Sequence, residues 1–305
     1  MATHANERQA AESVPIGTDS ARPHWRPNFA WIGLTPFFAY AAVFLLLPTA
    51  GVLVNAFRND VGSFTWTNIH NLTSPEYAGA FRTSIEVSLA SAIIGGALGA
   101  LTAYAAITGP GARIIRPLLA TFSGVAANFA GVPLAFAFIA TLGTTGLVTR
   151  ILVDTFGIDL YASGFSLFSF WGVVLAYVYF QIPLMFLVIA PAIDGLRREW
   201  REAAESLGAS GTQYWRRVGG PVLLPSFLGA MVLLFGNAFS AYATAAALTS
   251  GGVNLVPLVI GNQLSGNVSS NPHQAQALAL GMILIIAVTM VPYALLTRRA
   301  NRWRP

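Results

Sequence analysis

Few side chains in this sequence could do covalent chemistry, and their types exclude most of it. The chain has no cysteine, which removes thiolate nucleophiles, thiolate metal ligands and disulfides. It also has no lysine, so all 17 basic residues are arginine. A phosphate-binding P-loop places its lysine on the nucleotide phosphates, and a standard Walker A site is therefore excluded. The four histidines, His4, His24, His70 and His273, lie in the N-terminal tail and in polar segments. His273 has no second histidine or acid beside it. No Ser/His/Asp set is legible, and no catalytic residue or metal site is assigned.

What remains is a group of polar side chains in apolar surroundings. Asn128, Gln181 and Asn237 are amides embedded in long hydrophobic runs, accompanied by Tyr177, Tyr179, Ser240, Tyr242 and Thr244. Glu86 is the acidic residue inside such a run, near one end. Ionisable and polar groups in hydrocarbon are costly and face protein or water. Three uses fit: helix–helix hydrogen bonds, worth ~0.6 kcal/mol on average, an interfacial belt for tyrosines near run ends, or the lining of a solute path. The candidate path residues are Asn128, Tyr179, Gln181, Asn237, Tyr242 and Glu86. Glu86 has Arg82 as an alternative partner, four residues earlier.

The elements that must position these groups follow from hydropathy. Of the 305 residues 55% are hydrophobic and 10% charged, against about 25% charged in soluble domains. Six apolar runs recur, at about Phe29 to Phe57, Ser84 to Thr108, Leu118 to Leu142, Phe168 to Ile193, Val222 to Leu248 and Ala275 to Leu296. Each is long enough to cross ~30 Å of hydrocarbon as a helix. Backbone N–H groups in lipid need internal partners, so each run is read as a helix. The expected fold is all-α, a polytopic membrane protein with six transmembrane helices. Pro48, Pro133, Pro183 and Pro292 lie inside the runs and predict kinks rather than breaks.

Residues 1–27 are polar and mixed in charge, without a signal-type apolar core, and read as a disordered tail. Residues 28–298 form the expected membrane domain, and 299–305 a short basic tail. The first run would serve as the uncleaved insertion signal.

Orientation follows from the arginines. With the N-terminus inside, the inner segments hold Arg8, Arg22, Arg26, Arg113, Arg116, Arg197, Arg198, Arg201, Arg216, Arg217, Arg298, Arg299, Arg302 and Arg304. The outer segments hold Arg58, Arg82 and Arg150. This is a positive-inside bias. It predicts a multi-pass protein of the cytoplasmic membrane with both termini in the cytoplasm. It also assigns the net charge of +5 to the lipid bilayer rather than to nucleic acid. The outer segment 249–274 has no charged residue and is rich in Gly, Asn and Ser. It is either a mobile external loop or a segment folded back toward the outer mouth.

The inner segment of about 194–221 contains EAAESLGASGTQYWRRVGGP. Trp200, Ala203, Ala204 and Leu207 fall at i, i+3, i+4 and i+7 and predict one apolar helix face. Arg198–Glu202 and Arg201–Glu205 are i,i+4 pairs on the other side. Gly208 stands where a left-handed residue would end the helix. Ser210 and Gln213 have capping-box spacing for a second helix, which Gly219, Gly220 and Pro221 would stop. A helix, a glycine joint and a second helix make a compact knob, and its alanines permit close approach to a partner. The alternative is an amphipathic loop lying on lipid headgroups.

The spacing resembles the EAA loop of ABC-importer permeases: E-A-A, three residues, G, nine residues, an aliphatic residue, one residue, L-P. Here it is Glu202-Ala203-Ala204, Gly208, Val218 and Pro221, with Gly220 where the family has Leu. Leu207-Gly208-Ala209-Ser210 and Pro221 to Pro225 also look like that loop. The resemblance covers about residues 30–305 and implies the type I ABC-importer permease fold. It further implies docking through Glu202, Ala203, Ala204, Leu207, Gly208, Val218 and Pro221 onto a cytoplasmic ABC ATPase dimer, which would carry the ATP and Mg2+. The other implied partners are a second permease and an extracytoplasmic solute-binding protein. FGNAFSAYATAAALTS (235–250) and ANFAGVPLAFAFIATLG (127–143) look most like the polyamine-type permeases. Permeases for iron, phosphonates and sulfate share the layout. A secondary transporter or a membrane-embedded enzyme would instead show inverted repeats or a catalytic cluster, and neither is legible.

Overall fold

The computed structural model describes residues 30–249, 252–265 and 271–301. The tail 1–27 and the tip of the C-terminal tail, 302–305, lie outside the described residues. Among those described there is no strand beyond an isolated bridge, Arg58 to Phe64.

The chain divides into two units, Met1–Thr49 and Ala50–Pro305. The first holds α1 (Ala30–Ala41), a π-helical turn (Ala42–Leu46) and the start of α2 (Leu47–Asn55). In the second unit a short α3 (Thr67–Asn71) precedes α4 (Pro75–Thr108). There follow α5 (Ala112–Asn128), α6 (Val132–Leu142) and α7 (Leu147–Phe156). Next come α8 (Phe170–Asp194), α9 (Arg198–Ser206), α10 (Gly211–Tyr214) and a second π turn (Trp215–Gly219). The chain continues through α11 (Gly220–Phe239), α12 (Ala243–Thr249), α13 (Val256–Ser265) and α14 (Pro272–Asn301). Six helical runs among the described residues are long and apolar enough to cross a membrane: Gly33–Asn55, Pro75–Thr108, Val132–Phe156, Phe170–Asp194, Gly211–Phe239 and Pro272–Val291.

The centre of the second unit is the α4–α8 pair. Small residues permit it. Ser88, Ser91, Ala92, Gly95, Gly99 and Ala103 of α4 are buried, which lets backbones approach closely as small residues do between membrane helices. A Cβ on Gly99 would lie 2.5 Å from the Ile182 carbonyl oxygen, so α8 tolerates no side chain there. Two core clusters run along this pair. One gathers Tyr177, Val173, Leu134, Leu248 and Leu255, and the other Met185, Phe186, Ile189, Leu234 and Phe239.

Four expectations are corrected. The run Leu118 to Leu142 is not one helix: α5 ends at Asn128 and α6 restarts at Val132, with Gly131 at φ +74° between them. Pro133 lies in the first turn of α6, where its missing N–H costs nothing, so it starts a helix instead of kinking one. The run Val222 to Leu248 is likewise broken at Ser240–Tyr242. The second run is longer than expected. It begins at Pro75 and its 34 residues span about 51 Å at 1.5 Å per residue, beyond the hydrocarbon thickness. Within 249–274 the described residues include α13, which packs on α14 and α4 and buries Val256, Pro257 and Leu258. That part of the segment is folded back.

Candidate functional site

Two places carry the residues singled out above. At one end of α8 the chain makes the knob. α9 ends in a left-handed residue, Gly208 at φ +78°. The Gly208 N–H donates to the Glu205 carbonyl and the Ala209 N–H to the Ala204 carbonyl, both at 2.9 Å. This pairing satisfies the last carbonyls of the helix. The Ser210 N–H donates to Gln213 Oε1 at 2.8 Å, and the Gln213 N–H donates to Ser210 Oγ at 3.3 Å, completing the capping box of α10. Arg198 pairs with Glu202 and Arg201 with Glu205, each at 3.0 Å. The hydrogen bond and charge of Glu205 push the Arg201 guanidinium further above its usual range.

Tyr214 is buried, and Trp215 meets the Tyr104 ring of α4 edge-on at 5.3 Å. These rings tie the knob to the membrane helices. Much of its apolar face is uncovered: Leu207 is 88% exposed and Ala203 is exposed. Glu202, Gly208 and Pro221 are exposed too, while Ala204 and Val218 are half-buried. Pro221 does not stop a helix, contrary to expectation. Helix continues from Gly211 to Phe239 because the chain takes a π turn at Trp215–Gly219, and the Gly220 N–H donates to the Trp215 carbonyl five residues back. The wider turn changes the register just before the residue that lacks an N–H.

Toward the opposite ends of α8 and α11 the two helix breaks meet. The Gly131 N–H donates to Thr244 Oγ1 at 2.8 Å. The Tyr177 hydroxyl donates to the Ala241 carbonyl at 2.9 Å, inside the second break. One turn along α8, Gln181 Nε2 donates to the Leu234 carbonyl at 3.0 Å. The Gly131 N–H and the Ala241 carbonyl, both at the breaks, are thus satisfied by side chains of neighbouring helices.

The candidate path residues separate accordingly. Asn128, at the end of α5, is exposed, and its amide donates to the Gly124 carbonyl at 2.8 Å. Asn237 is exposed two residues before α11 ends. A Cβ on the adjacent Gly236 would meet nothing within 4 Å. Tyr179 is half-buried, with its ring edge-on to Phe129 and Phe138 at 6.3 and 6.0 Å. Tyr242 is half-exposed in the second break and its ring lies against Gly261 of α13. Gln181 is corrected: it has no exposed surface and sits between helices, so it does not line an open path in this conformation. Glu86 is exposed, and its carboxylate accepts from Arg82 Nε at 2.8 Å in a local ion pair.

Sequence reasoning missed a polar junction at the other end of α4. Buried Asn68 donates to the Ala56 and Arg58 carbonyls. Buried Gln274 donates to the Asn68 carbonyl and accepts from Asn71, and His273 Nδ1 lies 3.1 Å from the Asn55 carbonyl. About 200 residues separate the partners, so local pattern carried no sign of the pairing.

Residues 95–302 match the family model described as "binding-protein-dependent transport system inner membrane component". The chain belongs to this family. It is a permease subunit of a type I ABC importer, a multi-pass protein of the inner membrane. The chain is 24% identical over 269 residues to a probable sulfate transport system permease protein of Nephroselmis olivacea, covering 87% of each. It is 28% identical over 255 residues to the molybdenum transport system permease protein of Mycobacterium tuberculosis, covering 82% of this chain and 88% of that one. It is 27% identical over 281 residues to the spermidine/putrescine transport system permease protein of Haemophilus influenzae, covering 90% and 96%. Among solved structures, a bacterial ABC transporter involved in the import of the acidic polysaccharide alginate matches with a TM-score of 0.67. That match is at 17% identity and covers 91% of this chain and 96% of that one. At that identity the likeness speaks for the fold.

Proposed function

We propose that this subunit forms half of a solute pathway and takes its drive from a cytoplasmic ABC ATPase dimer through the α9–Gly208–α10 knob. One observation carries the reading: a helix pair fully capped at its joint nevertheless leaves Ala203 and Leu207 uncovered. Capping fixes the shape, and the uncovered apolar face supplies area for a partner groove. The knob connects α8 to α11 directly, so a pull on it tilts both helices. Both termini and the knob lie in the cytoplasm, in keeping with the arginine distribution. ATP and Mg2+ belong to the partner, and this chain does no covalent chemistry. A second, non-identical permease completes the pathway, and an extracytoplasmic binding protein delivers the solute.

The solute we infer is a small hydrophilic cation of polyamine type, passing beside Asn128 and Asn237. The likeness of segments 127–143 and 235–250 to polyamine permeases supports it, together with the spermidine/putrescine relative. A second reading changes only the solute, to an oxyanion, and the sulfate and molybdenum relatives favour it. The binding profile of the cognate solute-binding protein decides between them. Retention of spermidine or putrescine supports the first reading. Retention of sulfate or molybdate overturns it and leaves the importer in place. In uptake assays Asn237→Leu is expected to lower transport with the ATPase still attached, and Glu86→Gln to lower it less, since Arg82 already neutralises that carboxylate. The importer reading itself fails if no ATPase copurifies with the native subunit in mild detergent.

A further inference from the structure

Between α4 and α8 the chain crosses the membrane as α5 and α6 together. Arg116, in the second turn of α5, pairs with Asp194 at the end of α8, beside the knob. At the other end the Tyr161 hydroxyl donates to the carbonyl of Leu142, the last residue of α6, at 2.8 Å. Leu142 belongs to the same core cluster as Leu167, just before α8. α5 and α6 therefore cover the same height as α8. The 25 residues of α8 measure about 37 Å, against ~30 Å of hydrocarbon. Both ends of α8 thus lie within a few ångströms of the hydrocarbon edges. Phe168 and Trp171 are exposed at its start, where the aromatic belt of a membrane protein lies.

α7 begins at that edge. The run Val132–Phe156 is apolar enough to cross as one piece, but a tight turn divides it. The Gly146 N–H donates to the Gly143 carbonyl at 2.9 Å, and a Cβ on Gly146 would lie 2.4 Å from the Thr141 carbonyl oxygen. Past the turn, the sides of α7 differ in character. Thr149 is buried and Leu152 half-buried, on the side that packs on α6. Leu147, Val148 and Ile151 are exposed and share about 100° of arc on one flank at 3.6 residues per turn. Arg150 and Asp154 are exposed within about 40° of each other on the other flank. Neither makes an ion pair among the described residues. Val153 and Phe156 are exposed as well, so in water the helix would show apolar side chains around most of its circumference. A helix lying in the plane of a bilayer boundary has hydrocarbon on one flank and water on the other.

We propose that α7 is a lipid-binding surface helix: it lies along the membrane boundary away from the knob, with Leu147, Val148 and Ile151 among the lipid acyl chains and Arg150 and Asp154 in water. The exposed Phe168 and Trp171 at the start of α8 continue the same lipid-facing band. α7 is then not part of the third crossing, which ends with α6. The assignment depends neither on the coupling reading nor on the solute, because its test reads the surroundings of the helix rather than uptake.

The chain has no native cysteine, so single cysteines can carry a nitroxide label at Leu147, Val148, Arg150, Ile151 or Asp154 in turn. All of these side chains are exposed, so labelling leaves the packing of the subunit in place. The purified transporter is placed in phosphatidylcholine bilayers. Collisions of each label are measured with oxygen, which concentrates in hydrocarbon, and with a water-soluble nickel chelate. Labels at Leu147, Val148 and Ile151 are expected to favour oxygen, and those at Arg150 and Asp154 the nickel chelate. The ratio of the two collision rates should therefore reverse from one flank to the other. Preference for nickel at every position would place the helix in water and overturn the proposal. Preference for oxygen at every position would return α7 to the third crossing and overturn it too. An apolar flank shielded from both reagents would mean that a second permease or a binding protein covers it, which also overturns the lipid assignment.

Discussion

At the scale of single residues, the knob depends on one backbone angle. Gly208 sits at φ +78° with nothing within 4 Å of an added Cβ. A substitution there meets no clash, only the left-handed conformation, which costs an ordinary residue about 1–2 kcal/mol and asparagine less. Gly208→Val is therefore expected to lose transport and release the ATPase while the subunit still inserts. Gly208→Asn should keep most of both. Quantifying copurified ATPase at equal permease level checks this, and wild-type retention in the valine variant would remove the joint from the coupling account. Leu207 separates docking from folding. It is 88% exposed, so Leu207→Asn should change thermal stability by no more than about 0.5 kcal/mol, yet weaken ATPase retention. A variant that melts earlier and retains its ATPase would mean that Leu207 packs within the subunit.

At the scale of elements, the two helix breaks hold each other. The Gly131 N–H depends on the Thr244 hydroxyl, which is buried. Thr244→Val keeps the shape and removes the acceptor, leaving a donor unpaired at about 1–3 kcal/mol. Thr244→Ser should restore most of that. Melting of the purified subunit in detergent measures both, and a larger loss in the serine variant would show that packing of the methyl group matters more than the hydrogen bond. The breaks differ in legibility. Pro133 two residues after Gly131 is a visible boundary, since proline is favoured in a first helical turn. Ser240-Ala241-Tyr242 carries no proline or glycine. That break persists because Tyr177 takes up the freed Ala241 carbonyl, a partner 64 residues away.

At the scale of the whole molecule, orientation is the property most exposed to test. The absence of native cysteine makes single-cysteine labelling direct. A cysteine at Ser210, in the knob, is expected to resist an impermeant thiol reagent in intact cells. One at Ser265, at the end of α13 and exposed, is expected to react. Reversed labelling would show that the arginine distribution misreports the topology.

Composition and hydropathy by themselves determined that the chain is a bundle of membrane-spanning helices, because lipid leaves backbone N–H groups no other partner. Local spacing determined the knob as well. The Gly208 cap, the Ser210–Gln213 box and the two ion pairs are contacts within a few residues, so their energetics are written in consecutive positions. Tertiary structure alone decided which polar side chains are enclosed and which remain open. Gln181 and Asn237 are both amides in apolar runs, indistinguishable by type, yet one bonds the Leu234 carbonyl out of reach of solvent and the other faces open space. The difference lies in which neighbour covers each helix face, and glycines such as Gly99 let α4 come close enough to cover α8. That covering, made by residues far apart in the chain, is invisible to any pattern read along it.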